Sequence, residues 1–323
     1  MTPFGTTAAG ETVHALTLAE GGLRAVILTW GSVLQDLRLD GVAHGLTLGS
    51  DRLADYEGDM RHHGSLIGPV VNRLTGAMAP IDGTPHRFEA NQGGRHTLHA
   101  GAAGTHLKVW DVVDRGPAHA ELALDLPDGE GGFPGNRRIT ARWQVEGPAT
   151  LRLILRATTD APTLMNVANH SYWNLDGTPQ WDGHRLWIAA DRYLPTTADF
   201  TPTGEIAPVA GTEIDFREER EIAVERPPLD NCFCLSDARG PLRDVLRLTG
   251  RSGVSMTVAT TEPGIQVYDG RNARRPGRAA YEGLAIEAQG WPDAPNHAGF
   301  PSIDLHPDEV YSQTTEWRFT KGT

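Results

Sequence analysis

"RITARWQVE", Arg138 to Glu146, and "TLRLILRATT", Thr150 to Thr159, decide the fold. In the first, Ile139, Ala141, Trp143 and Val145 fall on every second position, with polar residues between them. Alternation of period two marks a strand with one face buried. The same rhythm returns in "AELALDL", where Leu122, Leu124 and Leu126 share a face, and in "GVSMTVATT", which aligns Val254, Met256 and Val258. A further strand-like run, "LRAVILTWG", begins at Leu23. The 37 glycines and 22 prolines are spread along all 323 residues. That is the punctuation of many strands joined by turns. Sustained helical periodicity is absent; "SDRLADYE" predicts one or two helical turns after an N-cap at Ser50. Many short strands with turn signals make a sandwich or barrel. With no repeat, low-complexity tract or boundary signal, residues 1–323 read as one large antiparallel β domain.

Composition narrows the function. The formal net charge of −12 argues against nucleic acid or an anionic membrane surface as partner. Hydrophobic residues make up 39% of the chain, ample for a core. The first residues show no basic segment followed by an apolar one, and apolar runs such as "AVIL" are too short to cross a bilayer. The expectation is a soluble, cytoplasmic protein, monomer or homodimer. Cys232 and Cys234, two apart on a predicted strand, point to one face and read as buried free thiols. No CxxC or HExxH pair suggests a metal site.

Four polar-rich stretches interrupt the strands. "NVANHSYWNLDG", Asn166 to Gly177, sets hydrogen-bonding groups beside aromatic faces, which suits a sugar ring, with His170 as a possible proton donor. "GPVVNRLTGA" carries Asn72 and Arg73; alone, Arg73 reads as a surface or ion-paired arginine. "NQGGRHTLHAG" places His96 and His99 three apart, so on a strand one would line a pocket and the other meet solvent. In "GLAIEAQGWPDAPNHAGFPS", Glu287 follows an apolar run. A structural ion pair with an arginine and a functional carboxylate are equal readings of it. Asp230, after a Pro pair, is by default a turn residue, and Gln266 faces the same way as Tyr268.

Taken together, these stretches resemble the aldose 1-epimerase (galactose mutarotase) family along nearly the whole chain. "VNRLTGA", "HTLHAG", "GEGGFPGN", "NHSYWNLDG", "AADRYLPTTADFTPTGEIAPVAGTEIDF", "LDNCF", "PGIQVYDG" and "IEAQGWPDAPNHAGFPS" have counterparts there in the same order. The resemblance implies an all-β, large antiparallel β-supersandwich. It also implies interconversion of the α and β anomers of a free aldose such as glucose or galactose, without metal or organic cofactor. His170 matches the family's general acid and Glu287 its general base. Asn72, Arg73, His99, Asp230 and Gln266 match residues that hold the sugar hydroxyls. Pro69, Ala100 and Trp173 depart from the family pattern beside these positions and bear on sugar preference.

Such a reaction takes a proton from O1 and gives one to O5 as the ring opens, then reverses both after rotation about C1–C2. With unperturbed groups, ionised Glu287 is the base and protonated His170 the acid, so activity falls at low pH as Glu287 protonates and at high pH as His170 deprotonates. Three rivals share the sequence. A sugar sensor needs Arg73, His99 and Asp230 but no acid–base pair. A glycoside hydrolase usually needs two carboxylates. A hexose 6-phosphate mutarotase would use an extra basic cluster, for which "RNARRPGR", Arg271 to Arg278, is the candidate, although that run reads as a solvated loop.

Overall fold

The strands announced by Trp143 and its neighbours form the middle of a nine-stranded antiparallel sheet. Its order runs Asp111–Arg115, His119–Leu126, Arg137–Glu146, Thr150–Thr159, Tyr311–Lys321, Val254–Thr260, Arg243–Thr249, Arg185–Ile188 and Arg220–Glu221. The computed structural model describes residues 1–322. In the strand Arg137–Glu146, Ile139, Ala141, Trp143 and Val145 are fully buried. The opposite face is a charge ladder, with Arg142 on Asp114 and Glu121, and Arg152 on Glu146 and Glu316. The all-β, sandwich-like expectation therefore holds, and the alternating runs fall where the sequence puts them.

A four-stranded sheet, Thr2–Thr6, Thr12–Glu20, Leu23–Leu28 and Leu34–Leu39, contributes Leu16, Leu18, Ala25 and Ile27 to the same core. The Trp143 indole N–H donates to Ser32 Oγ at 2.9 Å across that interface. Trp143 stacks on Trp317, and Trp173 packs on both Trp317 and Phe319. Burial of a large apolar side chain contributes about 1.5–3 kcal/mol, so this indole cluster is a main source of cohesion.

A third, six-stranded sheet positions the chemistry. Its order is Tyr172–Trp173, Leu284–Gln289, Gly264–Tyr268, Asp230–Cys234, Arg192–Leu194 and Ala207–Pro208. All six residues of Leu284–Gln289 are buried, so both faces of this strand are covered.

The predicted helical turn exists as Leu53–Glu57, but Ser50 does not cap it. Arg52 holds the cap position without a side-chain bond. Ser50 lies too far upstream: its backbone N–H donates to the Tyr56 hydroxyl, and its Oγ donates to the Asp55 carboxylate. Cys232 and Cys234 are buried free thiols. Among the described residues, no helix is long and apolar enough to cross a membrane.

Candidate active site

Strand register builds the floor of a cleft. Across the six-stranded sheet, Tyr172 pairs with Ala285, Ala285 with Tyr268 and Tyr268 with Asp230. One step along the strands, Glu287 pairs with Gln266. Residues two apart on a strand share a face, so Tyr172, Glu287, Gln266, Tyr268 and Asp230 all project to one side. The alternate residues Leu284, Ile286, Ile265, Val267 and Phe233 enter the main core. The projecting side chains line a cleft of about 310 Å³, together with Asn72, Arg73, His99 and His170. That volume suits a small ligand. All seven residues singled out in the sequence thus come together.

The Asn166–Gly177 segment divides its labour. Its asparagines clamp backbone: Asn166 exchanges hydrogen bonds with Gly290, Asn169 donates to the Gly64 carbonyl at 2.8 Å, and Asn174 donates to the Thr178 and Glu282 carbonyls. The His170 N–H donates to Ser65 O, and the Gly64 N–H donates to His170 O. Thus fixed, His170 and Tyr172 face the cleft. Trp173, on the opposite face, is fully buried among Trp317 and Phe319. The tyrosine is the wall and the tryptophan packs beneath it.

His170 Nε2 lies 3.5 Å from Glu287 Oε1, with His170 4% and Glu287 2% exposed. His170 Nδ1 and Glu287 Oε2 are buried without a hydrogen-bond partner. Among the described residues, Glu287 forms no ion pair with an arginine; its charged-group neighbour is His170. Burial holds the His170 imidazole down at about 4. Burial, reinforced by Asp230 and opposed by Arg73, pushes the Glu287 carboxyl well above its usual range. Burial thus disfavours the charged form of each group, against the imidazolium and carboxylate expected from unperturbed groups.

Around this pair, Gln266 Nε2 donates to Asp230 Oδ1 at 2.7 Å. Burial raises Asp230, and Arg73 and Arg271 oppose the rise. Arg73 Nε donates to Gln92 Oε1 at 2.9 Å, and its guanidinium faces the Phe200 ring. Asn72 and His99 both sit in the left-handed region, φ 63° and 54°. The Asn72 N–H donates to His99 Nδ1, and the His99 N–H donates to Asn72 O. Non-glycine residues held there cost of order 1–3 kcal/mol, so the surrounding fold over-determines both positions.

A larger groove of about 620 Å³ lies elsewhere. Most of its charged groups pair with one another, Arg24 and Arg38 with Asp36, and Arg275 and Arg278 with Glu282, while Asp51 accepts from Gln35.

The family follows from comparison of the chain with known proteins. A family model described as aldose 1-epimerase matches residues 14–318. The chain belongs to the aldose 1-epimerase family. It is 32% identical to galactose mutarotase of Homo sapiens, over 96% of this chain and 95% of the relative. Identity to aldose 1-epimerase of Escherichia coli K12 is also 32%, over 96% of each. Among solved structures, an aldose epimerase homologue from C. elegans superposes with a TM-score of 0.88 at 28% identity, covering 96% of this chain and 100% of that one. Galactose 1-epimerase from Lactobacillus acidophilus gives 0.87 at 27%, covering 100% and 98%.

Several expectations need correction. His96 does not meet solvent: it is 7% exposed, and its Nδ1 accepts the Gly76 N–H. The strand there is only Thr97–Leu98, so alternation does not reach either histidine. Asp230 is not a turn residue but opens a strand. The arginine run is only partly solvated. Arg271 lines the cleft, tied to Asp269, and Arg275 is held by Glu282 and the Gly49 carbonyl. Pro69, Ala100 and Trp173 are all turned away from the cleft lining. Sequence reasoning passed over His62, His63 and Phe200, which line it. The one available signal was the adjacent imidazoles of "RHHG", in a segment without alternation.

Proposed function

We propose that this cleft interconverts the α and β anomers of a free aldose by opening and reclosing the pyranose ring, with His170 and Glu287 moving the protons. The observation that carries this reading is the 3.5 Å separation of His170 Nε2 and Glu287 Oε1 inside one cleft. O1 and O5 of a pyranose share a carbon, so an acid and a base that serve both must converge, each within about 3 Å of its oxygen.

The pair carries one proton, and its two resting places are the two halves of the reaction. With the proton on the imidazole, Glu287 takes the O1 proton while His170 donates to O5, and the ring opens. The proton now sits on the carboxyl, and both groups are neutral, the forms that burial favours. Reclosure after rotation about C1–C2 returns it. An O1 hydroxyl donating to Glu287, with Arg73 nearby, restores the charged carboxylate for the first half. Asn72, Arg73, His99, Asp230 and Gln266 hold the remaining hydroxyls. Only protons move, so the chemistry calls for no redox cofactor.

Three of the four arginines that could meet a 6-phosphate are already paired, Arg271 with Asp269, and Arg275 and Arg278 with Glu282, which weighs against such a substrate. Polarimetry of freshly dissolved α-D-glucose and α-D-galactose tests the reading. Optical rotation is expected to relax far faster with protein than in buffer. Relaxation at the buffer rate despite measurable sugar binding would make the protein a sugar sensor.

A further inference from the structure

His62 lines the cleft and takes no part in the proton chemistry. Its ring stacks on His170, centroids 5.6 Å apart and planes 29° apart, and lies 4.7 Å from His99 and 5.1 Å from His106. Burial and the neighbouring imidazoles hold it well below the usual histidine range. It is therefore neutral near pH 7 and presents one N–H donor and one nitrogen acceptor.

Of the imidazoles around it, His99 has a protein partner, its Nδ1 accepting from the Asn72 N–H, whereas His170 Nδ1, His106 Nδ1 and His63 Nδ1 have none. Among the described residues, no group hydrogen-bonds to the His62 ring. His62 is only partly buried, which leaves its ring within reach of a molecule bound in the cleft. A neutral imidazole on the wall of a cleft suits an occupant rich in hydroxyls, each of which both donates and accepts.

We propose that His62 is a further sugar-binding residue, which hydrogen-bonds one ring hydroxyl of the pyranose while its face fixes the plane of His170. This rests on the mutarotase reading. His62 neither gives nor takes the transferred proton. It adds binding shared by ground state and transition state, and so acts on KM rather than kcat.

His62→Phe keeps the stack and removes both nitrogens. Expected is a KM raised about tenfold, the scale of one hydrogen bond, with kcat within about threefold. A series of monodeoxy aldoses sharpens the test. One member should lose affinity in the parent protein yet lose no more in His62→Phe, because its missing hydroxyl is the partner. An unchanged KM, or the same deoxy-sugar ratios in parent and variant, overturns the proposal. His62→Gln retains a donor and an acceptor and should recover much of the KM. If His62→Phe fails to fold, the deoxy series on His62→Leu, which also lacks both nitrogens, decides in the same way: the partner hydroxyl must contribute less than in the parent. Calorimetry with 1,5-anhydroglucitol, which cannot mutarotate, reads His62 independently of turnover. Buffer-rate mutarotation by the parent would sink the functional reading, whereas equal 1,5-anhydroglucitol affinity in parent and His62→Phe would sink this one.

Discussion

Strands Arg137–Glu146 and Leu284–Gln289 are both central, both antiparallel and both rich in buried residues, yet they obey different rules. The first sends apolar side chains inward and a paired charge ladder outward to water. The second has no outward face: Leu284 and Ile286 enter the core, Ala285 packs with Leu48 and Tyr172, and Glu287 lines the cleft. Alternation thus records two different things. Where the polar phase meets solvent it reports the fold. Where that phase is itself buried, it reports a site, because a carboxylate with an unpartnered oxygen is retained there against its own desolvation.

The largest effect should follow from removing that carboxylate's charge. Glu287→Gln preserves shape and is expected to lower kcat about 10²–10⁴-fold, the usual share of positioned proton transfer, with Tm equal to or above the parent's. Near-parental kcat would place the site under the same rules as the large sheet. In the sheet the trade is reversed. Trp143→Ala removes a fully buried indole and its bond to Ser32. It should lose about 3–5 kcal/mol of stability, read from urea midpoints, while kcat of the folded fraction stays near parental.

This division sets how much could be read in advance. The large sheet was legible because Ile139, Ala141, Trp143 and Val145 have one neighbourhood and their intervening residues another. His170 and Glu287 were reached partly through polar groups in apolar runs and partly through family motifs. His62, His63 and Phe200 belong to turns, where no period links a residue to a direction, and their place follows only from long-range packing. His96 misled for the same reason: a two-residue strand is too short for alternation to govern its flanks.

The regions should also differ towards acid. The large sheet's charged residues are mostly exposed pairs, worth little, whereas the cleft is backed by buried imidazoles. Burial, with help from His170 and Arg61, holds His106 down at about 3, against about 6.5 when unfolded. The unfolded chain therefore binds the extra proton first as pH falls. His106's neutral form contributes its full stability above pH 6.5 and loses it below, by on the order of 2 kcal/mol at pH 5. The raised carboxyls of Glu287, Asp230 and Glu262 act in the opposite sense. Comparing His106→Leu with the parent cancels them. Its stability relative to the parent should improve by roughly 2 kcal/mol between pH 7 and pH 5. A difference independent of pH would mean that His106 takes up its proton in the fold as readily as in the unfolded chain.

The smallest effect probes the cleft's backbone rather than its side chains. Ala100, where the family motif has glycine, is held at φ 60° and is 2% exposed. A left-handed conformation costs an L-residue roughly 1–2 kcal/mol, which Ala100→Gly would relieve. Against that stand the lost burial of one methyl, about 0.8 kcal/mol, and the greater freedom of glycine in the unfolded chain, about 0.5–1 kcal/mol. These terms nearly cancel, so the variant should lie within about 1 kcal/mol of the parent, with sugar kinetics unchanged because Ala100 does not line the cleft. A larger loss would assign the Ala100 methyl to the packing of Phe88 and Phe133, its neighbours in a separate apolar cluster. The cleft's rim would then be held by side-chain contact as the large sheet is, and not chiefly by backbone bonds such as those between Asn72 and His99.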